Sequence, residues 1–145
     1  DEATAAAMVD AVRAVVPADS HRLKVILETG ELLDPSVIRA AAELAVAHGA
    51  DFIKTSTGKT PRSASLEATT IMLSVIQQAD RPVGLKPSGG IRTLDDATHF
   101  LAQADDLMGP DWATSATFRF GASGLLTALN AAVEGDTDVR TTEAY

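Results

Sequence analysis

Two lysines stand in the middle of short apolar runs. Lys54 lies within Asp51-Phe52-Ile53-Lys54-Thr55-Ser56-Thr57-Gly58, and Lys86 within Val83-Gly84-Leu85-Lys86-Pro87-Ser88-Gly89-Gly90. Lysine is seldom buried unless it is paired or used. Each run ends in glycine and precedes a helical pattern, as a buried strand of an α/β fold does. An ammonium at an inward strand position points to chemistry. What lysine does best from such a place is attack a carbonyl carbon to form a Schiff base. Alternation puts Phe52, Lys54 and Ser56 on one strand face. The duller alternative, a lysine snorkelling from an edge strand, fits poorly with Phe52-Ile53 on one side and Thr55-Ser56-Thr57-Gly58 on the other. If Lys86 faces the same cavity, each ammonium disfavours protonation of the other, and the more buried one loses its proton near neutral pH.

Around these lysines stand groups of less specific type. Lys24, Ile26 and Glu28 share the inward face of a first strand, where Lys24 and Glu28 form either a supporting ion pair, a polar floor or a satisfied structural pair. Three glycine turns suit a phosphate. Gly89-Gly90 lets backbone approach a ligand closely, and Thr93 opens a helix whose first N–H groups suit an anion. Gly121-Ala122-Ser123-Gly124 repeats the arrangement, and Gly58-Lys59 adds a glycine with a cation. Each is weak alone; three in register on successive strands are better evidence.

The elements that must position these groups alternate. A helical segment from Ala3 to Val16 carries Ala6, Val9, Val12 and Val16 at three- and four-residue spacing. Leu23 to Gly30 is the first strand. Asp34 is an N-cap with Pro35 at the first helical position, opening a helix to about His48 with Gly49 as its stop. Ala50 to Thr57 is the second strand, followed by a helix from about Leu66 to Gln78. Val83 to Pro87 is the third, and Thr93-Leu94-Asp95-Asp96 is a capping-box-like start for a helix through about Leu107. Thr117 to Phe120 is the fourth strand, and a helix ends near Val133. Residues 1–133 thus form one unit, and 134–145 a polar, mobile tail. Strands alternating with helices mean a parallel sheet with right-handed crossovers. A (β/α)8 barrel needs about 250 residues, so four units within 145 residues make half a barrel or a small open sheet.

Composition narrows the function classes. A net charge of −8 offers no basic stripe for nucleic acid. There is no cysteine, and His21, His48 and His99 show no ligand spacing, which argues against a zinc site. No apolar stretch is long enough to span a bilayer, and Asp1-Glu2-Ala3 lacks the basic start of a signal peptide. Cytoplasm is the default.

The lysine and glycine segments together resemble the deoxyribose-phosphate aldolases. The matching stretches are Leu23-Lys24-Val25-Ile26-Leu27-Glu28-Thr29-Gly30, Gly49 through Lys59, Gly84 through Thr93, and Arg119-Phe120-Gly121-Ala122-Ser123, with Tyr145 at the end. The resemblance implies a class I aldolase, without metal or cofactor, cleaving 2-deoxy-D-ribose 5-phosphate to D-glyceraldehyde 3-phosphate and acetaldehyde. It gives Lys54 the Schiff-base role, Lys86 the role of lowering the pKa of the first lysine, Lys24 a place near the active centre and Tyr145 a part in proton transfer. Gly58, Lys59, Gly89, Gly90, Arg92, Gly121 and Ser123 fall on the family's phosphate-binding segments; Gly124 stands where a second serine is usual. The family is a complete (β/α)8 barrel, and the likeness is to its C-terminal half. Its catalytic aspartate belongs to the other half, so no residue here takes that role. The expected partner is a second copy, an N-terminal half-barrel chain, or the remainder of a longer parent. The rival expectation is a non-catalytic half-barrel that binds a sugar phosphate or a partner chain.

Overall fold

The computed structural model of the chain describes residues 1–135. Its elements run α1 (Glu2–Val15), β1 (Lys24–Ile26), α2 (Thr29–Leu32), α3 (Pro35–Ala47), β2 (Phe52–Lys54), α4 (Leu66–Gln77), β3 (Gly84–Lys86), α5 (Leu94–Met108) and α6 (Ser123–Glu134). The three strands form a parallel sheet in the order β1-β2-β3, with helical crossovers between them. The register sets Lys24 opposite Phe52 and Phe52 opposite Gly84, then Ile26 opposite Lys54 and Lys54 opposite Lys86.

Alternation divides the sheet into two unlike faces. Ile53, Leu85 and Phe118 belong to a core with Ile38, Ala42, Met72, Leu73, Phe100, Ala104 and Leu125 from the helices. The opposite face carries Lys24, Ile26, Phe52, Lys54, Gly84 and Lys86.

The strands are shorter than the sequence pattern suggests. β1 stops at Ile26 because Glu28 adopts a left-handed conformation (φ 53°, ψ 54°) and Thr29 starts the short helix α2. The expected fourth strand is not a regular strand. Residues 117–121 add to the β3 edge through two isolated parallel bridges, Leu85 to Phe118 and Ser88 to Gly121. The Leu85 N–H donates to Thr117 O (2.8 Å), the Arg119 N–H to Leu85 O (3.1 Å) and the Gly121 N–H to Pro87 O (2.8 Å).

Helix starts follow their caps. Asp34 accepts from the Ser36 N–H ahead of Pro35, Ser65 caps α4, and Thr93 with Asp96 makes a reciprocal capping box on α5. On α1 the half-buried stripe runs Ala6, Val9, Arg13 and Val16, so Arg13 takes the place expected of Val12, which is 46% exposed. The cause is Asp51: Arg13 Nη1 donates to its Oδ2 at 2.7 Å and to Gly49 O at 3.0 Å, turning that helical face toward the start of β2. Gly135 in the left-handed region ends α6. No helix among the described residues is long and apolar enough to cross a membrane.

Candidate active site

The strand ends are tied to one another by side chains as well as by the ladder. Buried Thr55 donates through Oγ1 to Ser88 O (3.2 Å) and accepts from the Ser88 N–H (3.0 Å). Ser88 Oγ then donates to Gly121 O (3.0 Å). On the other side the Thr29 N–H donates to Thr55 O (2.9 Å). This belt fixes the C-terminal ends of the strands just beyond Lys54 and Lys86.

Lys54 and Lys86 are directly opposed on adjacent strands, and Lys24 lies one pleat earlier on the same face. Lys24 Nζ stands 5.3 Å from the centroid of the Phe52 ring, and Arg119 Cζ stands 4.6 Å from it. Phe52 is almost wholly buried, yet it lies outside the helix-side core. Its ring fills the space above Gly84, where a Cβ would come within 2.2 Å of Phe52 Cε1. Two cations therefore flank one aromatic ring, an attraction between charge and quadrupole. Desolvation, then the charges of Arg119 and Lys54, hold Lys24 below the usual lysine pKa. Lys86 is lowered likewise, first by desolvation and then by Lys24, Lys54 and Arg119. Such a like-charge cluster favours free amine at one of its members. The sequence puts Phe52 on the lysine face and Arg119 in a family-like segment, but gives neither a role in the site. Alternation on β2 exposes Phe52 as a face-mate of Lys54, but nothing local signals that Arg119 reaches it.

Glu28 does not pair with Lys24. It accepts from the Thr57 N–H and from the hydroxyls of Thr57 and Thr60. These hydrogen bonds, that of the Thr57 hydroxyl foremost, hold its carboxyl below the usual range against the opposing effect of burial.

The glycine turns come together. Gly58 (φ +81°) and Gly89 (φ +83°) lie in contact, such that a Cβ on Gly89 would stand 3.3 Å from Gly58 Cα. Only glycine fits that positive φ and close approach without strain. Gly124 lies beside Arg92, 3.9 Å from its Cα by the same measure, so the start of α6 meets the segment after β3. α6 has no side-chain cap: Ala122 occupies that position, with Ser123 and Gly124 next. By contrast, the start of α5 is already occupied, because Asp96 Oδ2 accepts from the Arg92 and Thr93 N–H groups and Thr93 Oγ1 from the Asp96 N–H. At α5 the capping box therefore already takes the Arg92, Thr93 and Asp96 N–H groups, whereas no side chain caps the start of α6. Lys59 and Arg92 are exposed beside these turns. Tyr145 lies outside the described residues. Among the described residues, no group of three or more His, Asp or Glu side chains comes together in a way that could hold a metal ion.

The chain is 56% identical over 126 residues to a deoxyribose-phosphate aldolase of Agrobacterium fabrum (strain C58), a match covering 87% of this chain and 48% of that protein. The chain thus spans about half the length of this curated relative. Two solved structures of a protein described as a deoxyribose-phosphate aldolase from Toxoplasma gondii ME49 superpose with TM-scores of 0.80 and 0.83 at 26% and 29% identity. They cover 93% and 92% of this chain and 53% of theirs. A counterpart from Coccidioides immitis gives 0.69 at 33% identity over 86% of this chain and 44% of its own. The family model described as DeoC/LacD family aldolase matches residues 1–132, and with the lysine-bearing parallel sheet this means that the chain belongs to the DeoC/LacD aldolase family.

Proposed function

We propose that this chain is the lysine-bearing half of a class I aldolase that reversibly cleaves 2-deoxy-D-ribose 5-phosphate to D-glyceraldehyde 3-phosphate and acetaldehyde. The observation that carries the reading is the direct opposition of Lys54 and Lys86 on a sheet face they share with Lys24, close to Arg119. Lys54, as the free amine, attacks the aldehyde carbon of the open-chain sugar. Loss of water leaves an iminium, the electron sink for the next step. The C3 hydroxyl loses its proton, the electrons of the C2–C3 bond pass to the iminium, and glyceraldehyde 3-phosphate departs as an aldehyde. The enamine left on Lys54 is protonated at C2, and water releases acetaldehyde. Lys86 and Lys24 share the sheet face of the attacking amine, and both are held below the usual lysine pKa, first by desolvation. The phosphate is seated by Gly58, Lys59, Gly89, Gly90, Arg92, Gly121 and Ser123, with the start of α6 lying beside Arg92. Remote binding energy from that seat orients the reacting carbons. Tyr145 assists proton transfer at C2.

The same reading makes the sheet one part of a (β/α)8 barrel, with residues 117–121 as the fourth strand; the expected tail falls largely outside the described residues, although Glu134 still belongs to α6. In its support, no strand pairs with the outer edge of β1 among the described residues, and Ile26 on the lysine face is 42% exposed. The partner is a set of β/α units of the kind that fills the rest of the relatives' length, in the same polypeptide, a separate chain or a second copy. It supplies the catalytic aspartate, and the assembly works in the cytoplasm.

The test is borohydride trapping with acetaldehyde, alone and after complementation with the N-terminal half of a related aldolase. Label on Lys54, abolished in Lys54→Met, together with turnover restored by complementation, supports the reading. Label on Lys86 or Lys59 reverses the assignment. Phosphate binding without trapping or turnover in the complemented assembly favours a non-catalytic half-barrel.

A further inference from the structure

We propose that Glu28 is a positioning residue: its carboxylate clamps the Thr57–Thr60 loop in the shape that presents the Gly58 N–H and the Lys59 side chain to solvent. The inference rests on the proposed function only in assigning that loop to the substrate phosphate. Both carboxylate oxygens lie within hydrogen-bond distance of the Thr57 N–H, at 3.2 and 3.1 Å. The Thr57 hydroxyl donates to Oε2 at 2.5 Å, while the Thr60 hydroxyl donates chiefly to Arg62 O at 2.7 Å and reaches Oε1 as the longer branch, at 3.3 Å. The relay extends one step further, because Thr57 Oγ1 accepts from the Lys59 N–H at 3.2 Å. One side chain thereby sets the positions of three of the four residues in the loop.

The backbone around Glu28 is arranged for this contact. Glu28 is one of two described non-glycine residues with positive φ, a conformation that L side chains adopt only under constraint. It ends the run of β1 and turns the chain into α2. Two residues later Gly30 lies against the far end of the loop, where a Cβ would stand 2.2 Å from Arg62 O. The loop is thus gripped at Thr57, Thr60 and Arg62 by one strained corner. Strain of this kind gathers where geometry serves a function.

A carboxylate beside a phosphate seat is the wrong sign for attraction, and this gives the test its edge. If Glu28 were a bystander, removing its charge would tighten anion binding. If it holds the loop, removing it must weaken binding.

The experiment is titration of the 145-residue chain with inorganic phosphate, followed at the Gly58 and Lys59 amides by 15N NMR, with hydrogen exchange at Thr57. It compares the parent with Glu28→Ala and with the milder Thr60→Val. In Glu28→Ala we expect Thr57 exchange to quicken, and the phosphate Kd to rise, each roughly tenfold, as loss of a charge-assisted hydrogen bond implies. Thr60→Val should shift both in the same direction by less. A Thr57 amide that is unprotected in the parent, or equally protected in Glu28→Ala, overturns the clamp. So does tighter or unchanged phosphate binding once protection is lost. A parent that shows no phosphate response at Gly58 and Lys59, but loses Thr57 protection in Glu28→Ala, refutes the phosphate assignment while the clamp stands.

Discussion

Gly121→Ala probes how the residue 117–121 segment controls Lys86. A Cβ there would stand 2.4 Å from Ser88 Oγ, 2.7 Å from Ser88 Cβ and 3.0 Å from Lys86 Cε. Carbon atoms are comfortable at about 3.5 to 4.0 Å, so Ser88 must withdraw by about 1 Å and Lys86 by several tenths. Ser88 is buried, and its Oγ donates to Gly121 O at 3.0 Å. Withdrawal breaks that bond and strands the hydroxyl, at a cost of about 1–3 kcal/mol; overpacking adds a comparable amount. We expect a net destabilisation of about 2–4 kcal/mol in urea unfolding. If Lys86 serves the proposed reaction, turnover of the complemented chain should fall by more than stability explains, since a catalytic group misplaced by about 1 Å costs up to ~100-fold. Ser88→Gly removes both Ser88 atoms from the clash but leaves the Lys86 contact. In the double variant, stability should recover relative to Gly121→Ala by a coupling of about 1 kcal/mol or more, while turnover stays low. Parent-like stability and turnover in Gly121→Ala, or a cycle without coupling, would refute the geometry.

Three further expectations follow from the cation cluster and its support. Lys24 and Lys86 have folded pKa values below their ordinary 10.5, so the unfolded chain binds more protons between the folded values and 10.5, and stability contributed by this pair rises with pH across that window. Arg119→Gln removes a charge that lowers both, raising both pKa values and flattening the rise; NMR titrations of the two lysines unmoved by the substitution would contradict the cluster. Arg13→Met deprives Asp51 of its 2.7 Å partner and should cost about 1–3 kcal/mol, toward the lower end because the pair is partly exposed. Burial raises the Asp51 pKa, but the hydrogen bonds from Arg13 and the Leu23 N–H outweigh it and hold the carboxyl below its ordinary 3.8. Its contribution is full above that value and is lost as pH falls, and Arg13→Met should shrink this acid-side loss in pH-dependent melts. Gly84→Ala, with its Cβ 2.2 Å from the Phe52 ring, should destabilise by about 1–3 kcal/mol, and near-UV circular dichroism should report the disturbed aromatic packing.

Helix starts and the lysine strands were legible because their causes are local. Asp34-Pro35 and Thr93 with Asp96 carry their caps within four residues, and Phe52-Ile53-Lys54 shows its alternation within three. Strand ends were less legible, since Glu28 leaves the β region through contacts with Thr57 and Thr60, about thirty positions away in sequence. The fourth strand reduces to bridges at Phe118 and Gly121 for a similar reason: Phe118 packs edge-on against both Trp112 and Phe120, and that cluster belongs to tertiary structure. Arg13 displacing Val12 from the packed stripe of α1 depends on Asp51, which a helical period cannot reveal. In the site, the lysine pair could be read from the residues themselves, whereas the Arg119–Phe52–Lys24 stack required the register.

That register has a consequence for folding. Slipping β2 by one residue against its neighbours would send Lys54 into the cluster that holds Ile53, Met72 and Leu73, and would bring Ile53 out among the cations. Both faces would object, one to an unpaired ammonium in apolar surroundings and the other to a lost aliphatic contact. A sheet with two apolar faces lacks the first objection. The amines to which we assign carbonyl chemistry would therefore also act as alignment marks, rejecting a misthreaded strand during folding.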